Sequence, residues 1–182
     1  MADRAGLTGV LLVGGASTRF GSPKALAELG GETLAARAWR LLDDACEERI
    51  AVGKLADGLE LPFEVVDDGS DVRAPLAGVV AGLRAATHEI AVVVPVDMPL
   101  LTAAALRELG ARCRDVAMPP TGPLPAAYRR TALPALESAL AAGTLALRDA
   151  IAGLDVAVVE LAATVLANVN TGSDVRRLRD RL

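Results

Sequence analysis

A glycine-rich stretch near the start of the chain carries the residue types needed to hold phosphates. Residues 14–24 have the sequence GGASTRFGSPK, in which paired glycines are followed by Arg19 and Lys24. Gly14 and Gly15 allow backbone N–H groups to approach phosphate oxygens, and the two cations can neutralise the charge that develops on a departing pyrophosphate. The stretch indicates nucleotide binding with phosphoryl or nucleotidyl transfer.

The spacing within this stretch excludes the two commonest phosphate-binding motifs. Pro23 precedes Lys24 and Ala25 follows it, which breaks the pattern G-x-x-x-x-G-K-[ST], and G-x-G-x-x-G is absent. A simple nucleoside triphosphatase or a dinucleotide-dependent enzyme is therefore disfavoured. A bare glycine pair would more often be a flexible turn, but its combination with Arg19, Gly21 and Lys24 favours a phosphate site.

A second candidate is Asp97, which follows the most apolar run of the chain, residues 90–96 (IAVVVPV). A carboxylate at the tip of a buried strand is costly to leave unpaired, so it should cap a helix, form a salt bridge or bind a cation. Thr102 is better placed to cap the next helix. We favour Mg²⁺, which binds through one or two carboxylates plus substrate phosphates and can hold a triphosphate for in-line attack. Taken alone, an aspartate here would be structural as often as metal-binding.

Two further groups of polar residues could belong to the same site. Asp67 and Asp68 follow a short apolar run, and either carboxylate could accept hydrogen bonds from a base or ribose, while Gly78 would permit a nucleotide to approach closely. An acidic surface turn explains the two aspartates equally well. Asn168 and Asn170 are two residues apart, so in an extended strand both would point to one side and could face one cleft. Isolated asparagines are more often turn formers.

Alternating strand and helix patterns predict the scaffold that positions these residues. Apolar runs predict strands at residues 8–13, 49–52, 63–66, 90–96, 115–118 and 156–161. Helical spacing predicts helices at residues 34–45 behind Thr33, 76–86, 103–112, 131–142 and 145–152, with a last helix that begins at a capping box of Thr171 and Asp174. Such alternation predicts an α/β fold whose sheet is mostly parallel and is covered by helices on both faces.

Length and composition narrow the class of protein further. A chain of 182 residues fits one domain, residues 1–182, better than two. No apolar stretch reaches the length of a membrane span and the first ten residues do not resemble a secretory signal, so a cytoplasmic protein without membrane contact is expected. Cys46, Cys113 and the single His88 do not form a metal-binding pattern. The formal charge of −4 argues weakly against nucleic acid as a partner.

Four segments together resemble one known family, the molybdenum cofactor guanylyltransferases and their close relatives. They are LLVGGASTRFGSPKALAELGGETL, APLAGVVAGL, PVDMPLL and NVNTGSDV, and they follow one another in the family's order across roughly residues 9 to 178. In that family the first segment usually has the form L-A-G-G-x-S-x-R-M-G-x-D-K, and the third contains D-M-P. The resemblance implies a Rossmann-like nucleotidyltransferase fold that binds GTP and Mg²⁺ and transfers GMP to the terminal phosphate of molybdopterin.

The resemblance also implies a role for each matching residue. Leu12, Val13, Gly14 and Gly15 would line the nucleotide, Lys24 the phosphates, Asp68 or Asp67 the nucleoside end, and Asp97 the Mg²⁺, while Arg19 would assist charge neutralisation and Asn168 and Asn170 would lie on the pterin or metal side. No protein nucleophile is needed, because a phosphate oxygen of the pterin attacks the α-phosphorus directly. Proteins of molybdoenzyme maturation are further partners that the resemblance allows.

The chain departs from the family pattern at four positions. Val13 stands where Ala is usual, Phe20 where Met is usual and Pro23 where Asp is usual, and Gly53 occupies a place where some members carry a nucleotide-contacting Asn. These departures bear on base specificity more than on the fold.

Three other functions are compatible with parts of the pattern. A molybdopterin cytidylyltransferase using CTP more typically has D-Q-P at the strand end, so Met98 favours guanylyl transfer. A sugar-phosphate nucleotidyltransferase is usually longer. A catalytically silent module that binds nucleotide and pterin has less need for Arg19, Lys24 and Asp97 together.

Overall fold

The computed structural model describes residues 6–14 and 23–179. Gly15, Arg19 and Gly21 of the glycine-rich stretch lie outside the described residues. The strands are β1 (Leu7–Leu12), β2 (Glu28–Leu29), β3 (Glu32–Thr33), β4 (Glu48–Gly53), β5 (Val65–Asp67), β6 (Ile90–Pro95), β7 (Val116–Met118), β8 (Ala126–Arg129) and β9 (Val156–Val158). The helices are α1 (Leu34–Ala45), α2 (Pro75–Ala85), α3 (Ala103–Arg112), α4 (Leu133–Ala141), α5 (Leu147–Ala150) and α6 (Gly172–Arg179).

The described strands form one large sheet and one small hairpin. The sheet has seven strands in the order β5-β4-β1-β6-β8-β7-β9, and the hairpin consists of β2 and β3. Neighbouring strands from β5 to β6 are parallel. β8 runs antiparallel to β6 and to β7, while β9 is parallel to β7. The sheet is therefore mostly parallel, and this part of the sequence-based prediction is confirmed.

Helices cover both faces of the sheet, and side chains of each strand alternate between two cores. Leu11 of β1 packs with α1 and α3 on one face, whereas Val10 and Leu12 pack with α2, α4 and α5 on the other. Successive side chains of a strand point to opposite faces, so a strand that is buried at every position, as β1 is, requires cover on both sides. The predicted two-sided α/β arrangement is confirmed.

Two glycines allow α2 to pack closely on the central strand. A Cβ at Gly78 would lie 2.8 Å from Leu12 Cδ2, and one at Gly82 would lie 2.5 Å from Val10 Cγ1. Because the two glycines are four residues apart, they share one face of the helix, and this face contacts β1. The approach brings the first turn of α2 close to the carboxyl end of β1.

No helix within the described ranges is long and apolar enough to cross a membrane.

Threonine side chains cap three of the helices at the places the sequence indicates. Thr33 accepts a hydrogen bond from Ala36 N–H at 3.1 Å, and Thr102 accepts one from Ala105 N–H at 3.2 Å. Thr171 Oγ1 accepts from Asp174 N–H at 3.2 Å, and Asp174 Oδ2 accepts from Thr171 N–H at 2.8 Å. This reciprocal pair is a capping box. Since Thr102 caps α3, the carboxylate at the end of β6 is available for other contacts.

Several predicted boundaries were wrong, most of them by a few residues. The strand expected at 63–66 is β5, which begins at Val65, and the strand expected at 156–161 ends with β9 at Val158. The helix expected at 131–142 begins at Leu133 after a 3₁₀ turn, and that expected at 145–152 contains only Leu147–Ala150. β8 and the β2–β3 hairpin were not predicted, because β8 has the sequence AAYR, whose alanines do not favour a strand, and the hairpin strands are only two residues long.

Candidate functional site

A cleft of about 440 Å³ opens at the carboxyl ends of β5, β4, β1 and β6. Asp68, Lys54 and Val13 come directly after β5, β4 and β1, and Asp97 comes two residues after β6. Ligands of doubly wound sheets bind at this edge. The sequence-predicted residues that line the cleft are Leu12, Val13, Gly14, Lys24, Asp68, Gly78, Asp97 and Asn168. The fold thus brings together residues that lie up to 156 positions apart in the sequence.

One end of the cleft is built around Lys24. Its Nζ donates to Asp97 Oδ2 at 3.0 Å and to Asn170 Oδ1 at 3.1 Å. The Lys24 and Asp97 side chains are 20% and 22% exposed, so both remain accessible to a ligand in the cleft. Because Lys24 follows the glycine-rich stretch and Asp97 follows the central strand β6, this group joins the two strongest chemical signals of the sequence. We call Lys24, Asp97 and Asn170 the phosphate end, after the role that the sequence predicts for Lys24.

Residues 168–170 dock against the end of β6 through the backbone. Val169 is buried and donates its N–H to the Asp97 carbonyl oxygen at 2.8 Å. No regular strand is assigned at residues 168–170, so the extended strand considered for the two asparagines is not formed. The spacing of two nevertheless has the expected effect: Asn168 lines the cleft and Asn170 contacts Lys24.

The opposite end of the cleft holds a second lysine–aspartate pair, which was not predicted. Lys54 Nζ lies 2.7 Å from Asp68 Oδ1 and also donates to the Ser70 carbonyl oxygen. Ser70 N–H donates to the same Asp68 oxygen at 3.0 Å. The Lys54 and Asp68 side chains are 12% and 8% exposed, so this pair is more deeply buried than the pair at the phosphate end. We call Lys54, Asp68 and Ser70 the inner pair site. Asp68 was a candidate from the sequence, whereas the only signal for Lys54 was its place two residues after the strand predicted at residues 49–52.

The geometry separates the roles of the two adjacent aspartates. Asp68 lines the cleft, whereas Asp67 does not. Asp67 Oδ2 accepts from Leu55 N–H at 2.9 Å and Oδ1 accepts from Gly69 N–H at 2.8 Å, and these backbone donors hold the pKa of Asp67 below its usual range. Asp67 therefore braces the loops beside the cleft, and Asp68 is the carboxylate that a ligand can reach.

A more exposed ion pair ties the same two loops together. Arg73 Nη1 donates to Asp57 Oδ2 at 3.0 Å, and the guanidinium holds the pKa of that carboxyl below its usual range. Arg73 also lines the cleft, and half of its side chain is exposed. The loops after β4 and β5 thus form one connected wall.

Val13 and Gly53 depart from the family pattern as a matched pair. A Cβ at Gly53 would lie 2.8 Å from Val13 Cγ2 and 3.4 Å from Val65 Cγ1. Valine is branched at Cβ and has one strongly preferred rotamer in most settings, so it cannot easily move away. The larger residue at position 13 therefore requires glycine at position 53. The side chain that some family members offer from position 53 is absent, and Lys54 is the next residue that reaches the cleft.

The donor set of the phosphate end suits a hard cation that shares its ligands with a substrate. Mg²⁺ takes oxygen ligands, commonly one or two carboxylates plus substrate phosphates and water. The described residues contain no group of three or more His, Cys, Asp or Glu side chains that could hold a metal on their own. The cleft instead offers the Asp97 carboxylate beside the amide oxygen of Asn170, both within hydrogen-bond distance of Lys24 Nζ. This set fits a cation that arrives with a triphosphate.

A second cleft lies at the far edge of the sheet and contains none of the candidate residues. It has a volume of about 520 Å³ and lies between α3 and β9, lined by side chains such as Glu108, Arg112, Arg114 and Glu160. It is not at the carboxyl ends of the central parallel strands. The smaller cleft is therefore the better candidate for the site of chemistry.

Comparison with known proteins agrees with the geometry. The family model described as "MobA-like NTP transferase domain" matches residues 9–158. A protein from Deinococcus radiodurans named "Probable molybdenum cofactor guanylyltransferase" is 37% identical over an alignment that covers 96% of this chain and 95% of that protein. A protein of the same name from Chloroflexus aggregans is 34% identical, with 81% of this chain and 77% of the relative covered.

A solved structure shares the fold over nearly the whole chain. It is molybdopterin-guanine dinucleotide biosynthesis protein A from Archaeoglobus fulgidus, with a TM-score of 0.79, 26% sequence identity and coverage of 96% of this chain and 97% of that chain. The matched family segment, residues 9–158, includes both lysine–aspartate pairs of the cleft.

Proposed function

The chain belongs to the MobA-like NTP transferase family, and from this premise we propose that it transfers a guanylyl group from GTP to the phosphate of molybdopterin. The relatives named as molybdenum cofactor guanylyltransferases support this substrate pair. The α-phosphorus of GTP forms a bond to a phosphate oxygen of the pterin, its bond to the bridging oxygen breaks, and pyrophosphate leaves. The predicted location of this reaction is the cytoplasm.

The observation that carries the proposal is the arrangement of two lysine–aspartate pairs along one cleft. The inner pair site follows β5 and β4, and the phosphate end follows β6, with β1 between them. Neighbouring strands are about 4.8 Å apart, so the ends of β5 and β6 are separated by about 14 Å. A nucleoside triphosphate laid along this edge spans such a distance, with the base near Asp68 and the phosphates near Lys24.

The phosphate end would bind the triphosphate and balance its charge. Lys24 is a point charge on a flexible stem, which suits phosphate oxygens, and a phosphate could replace Asp97 as its partner. Asp97 and the triphosphate would hold Mg²⁺, which neutralises charge on the transferring and leaving oxygens when it is bound. Arg19 is proposed to add positive charge on the pyrophosphate side. Leu12, Val13 and Gly14 would contact the nucleotide along the floor of the cleft.

The attacking group needs no base from the protein. The second pKa of a phosphate monoester is about 6, so at neutral pH the pterin phosphate already carries the charge of a nucleophile. Catalysis then consists of positioning and charge stabilisation. The only histidine of the chain, His88, lies at the opposite ends of the strands beside Thr8. Asn168 and Asn170 border the phosphate end, and we propose that they face the pterin.

A pyrophosphate-release assay tests the proposal. It compares GTP, CTP, ATP and UTP, each with and without Mg²⁺ and with and without molybdopterin. Release from GTP that depends on both partners is expected, together with Mg²⁺-dependent thermal stabilisation by GTP, since a ligand that binds only the folded state stabilises it. Selective use of CTP would instead identify a cytidylyltransferase. Binding without any release would identify a non-catalytic module.

A further inference from the structure

The inner pair site leaves one oxygen of a buried carboxylate for a ligand. Asp68 Oδ1 accepts from Lys54 Nζ and from Ser70 N–H, at 2.7 and 3.0 Å. Within residues 6–14 and 23–179, no group donates to Oδ2. The Asp68 side chain is 8% exposed, and the residue lines the cleft.

Lys54 determines the direction of this carboxylate. Its ammonium group fixes the rotation of the carboxylate because it holds one named oxygen, Oδ1. Lys54 is itself anchored by the Ser70 carbonyl oxygen, so the pair cannot swing as a unit without losing a second contact.

We propose that Lys54 is a positioning residue for guanine recognition. It holds Asp68 so that Oδ2 accepts hydrogen bonds from N1–H and the 2-amino group of the base. This inference rests on the proposed function, in which GTP is the substrate. Gly53 offers no side chain to the base, since Val13 fills the space of its Cβ, so the polar side chains directly after β4 and β5 that line the cleft are those of Lys54 and Asp68.

The position of the pair favours contact with the base over contact with phosphate. Lys54 Nζ is already bound to two oxygens of its own wall, and its side chain is 12% exposed. A carboxylate with an unoccupied acceptor oxygen repels phosphate, but it can accept hydrogen bonds from the N–H groups at the edge of a base. Guanine presents adjacent donors at N1 and the 2-amino group, hypoxanthine lacks the amino group, and xanthine carries a carbonyl in its place. All three bases share N1–H, and they differ at position 2, the second of the two groups that Asp68 would contact.

The test compares GTP, inosine triphosphate and xanthosine triphosphate, with binding measured by calorimetry and turnover by pyrophosphate release. Lys54→Met keeps the aliphatic stem and removes the charge. We expect GTP affinity to fall about ten- to a hundredfold and the preference for GTP over inosine triphosphate to shrink toward one, since hydrogen bonds to charged groups have energies in this range. The kcat at saturating GTP should change less than about threefold, because the phosphate end is intact. Lys54→Arg should restore part of the preference.

Asp68→Asn gives a second and independent result. Lys54 would hold the amide oxygen, so the amide N–H₂ would face the base and match the carbonyl of xanthine. A switch of preference from GTP to xanthosine triphosphate is expected, and it should disappear in the double variant with Lys54→Met. If Lys54→Met alone unfolds at a lower temperature than the wild type, the base preference of Asp68→Asn decides whether the pair recognises guanine. Arg84→Met, which removes an exposed ion pair with Glu137 away from the cleft, is the control and should leave every ratio unchanged.

Failure of this inference can be told from failure of the proposed function. Absence of transfer to molybdopterin by the wild-type chain would defeat the function, while the calorimetric ratios would still report on Lys54. Unaltered ratios in both Lys54→Met and Asp68→Asn would overturn the role of the pair. A change confined to the ratio between GTP and 2′-deoxyguanosine triphosphate would also overturn it, because the carboxylate would then contact the ribose.

Discussion

The two ends of the cleft use the same two side-chain types in different surroundings. At the phosphate end, Lys24 and Asp97 are 3.0 Å apart and about one-fifth exposed, and they come from segments separated by 73 positions. At the inner pair site, Lys54 and Asp68 are 2.7 Å apart, about one-tenth exposed and only 14 positions apart. The first pair is held by tertiary structure alone, whereas the second is surrounded by hydrogen bonds within its own loops.

The difference in exposure indicates which of the two lysine–aspartate pairs a substrate can separate. A triphosphate and its cation can compete for Lys24 and Asp97, because both side chains are accessible and each prefers such a partner. The inner pair has no such competitor, and separating it would leave a buried charge uncompensated. Under the proposed function, the lysine–aspartate pair at the phosphate end is therefore exchangeable, whereas the pair at the inner pair site is fixed.

The largest expected effect is at Asp97. Its backbone carbonyl, and not its carboxylate, holds Val169 N–H, so Asp97→Ala should leave the fold intact. Removal of the Asp97 carboxylate should lower kcat by several hundredfold to about a thousandfold, the upper part of the range for loss of one charge-stabilising group. Steady-state pyrophosphate release, with a thermal melt as the folding control, measures this. Undiminished Mg²⁺-dependent turnover would contradict the assignment.

Lys24 should give the next largest effect. Lys24→Met would remove the charge that faces the triphosphate, and we expect kcat/KM for GTP to fall about a hundredfold, equivalent to about 3 kcal/mol. GTP binding should also become less sensitive to salt, because screening acts on the lost interaction. The preference for GTP over inosine triphosphate should be unchanged, in contrast to Lys54→Met. A loss of base preference in Lys24→Met would show that the two ends do not act separately.

The two ends also differ in how far the sequence predicted them. The phosphate end was predicted because Lys24 and Asp97 stand at the ends of a glycine-rich stretch and of a strongly apolar strand, which are local signals. The inner pair site was missed at Lys54, and the choice between Asp67 and Asp68 stayed open, because adjacent carboxylates look alike in sequence. Only the loop geometry, in which Leu55 and Gly69 N–H groups occupy Asp67, separates them.

The fold shows a similar division. The long apolar runs of β1 and β6 and the capping threonines were sufficient to predict a two-sided α/β sheet. The antiparallel β8 was not predictable, because its four residues have no distinctive period and its place between β6 and β7 is set by pairing with distant strands.

A third prediction concerns Val13 and Gly53, which form the floor between the two ends. Gly53→Asn alone should destabilise the protein by about 1–3 kcal/mol through overpacking against Val13, which lowers Tm by about 2–4 °C per kcal/mol in a chain of this size. The double variant with Val13→Ala should recover much of this loss, since contacting residues couple by about 0.5–3 kcal/mol. Differential scanning calorimetry of the wild type, the two single variants and the double variant measures this double-mutant cycle. Gly153→Asn, at a site where a Cβ meets no atom within 4 Å, is the matched control.

The smallest expected effect is the response of the inner wall to acid. The pKa of Asp57 is lowered by the hydrogen bond from Arg73, and that of Asp67 by the N–H groups of Leu55 and Gly69. A carboxyl whose folded-state pKa is lowered contributes stability above its unfolded value of about 3.9 and loses it as pH falls through the lower folded value. The wall should therefore be unchanged between pH 7 and about 5, and its amides should lose protection below about pH 4, before the sheet unfolds.

Hydrogen exchange of Leu55 and Gly69 N–H, corrected for the intrinsic rate, measures this. Asp67→Asn keeps one side-chain acceptor oxygen but does not titrate. In this variant the protection of the Leu55 and Gly69 amides should therefore no longer fall below about pH 4. Protection that persists until global unfolding would show that the wall is held by contacts other than these carboxylates.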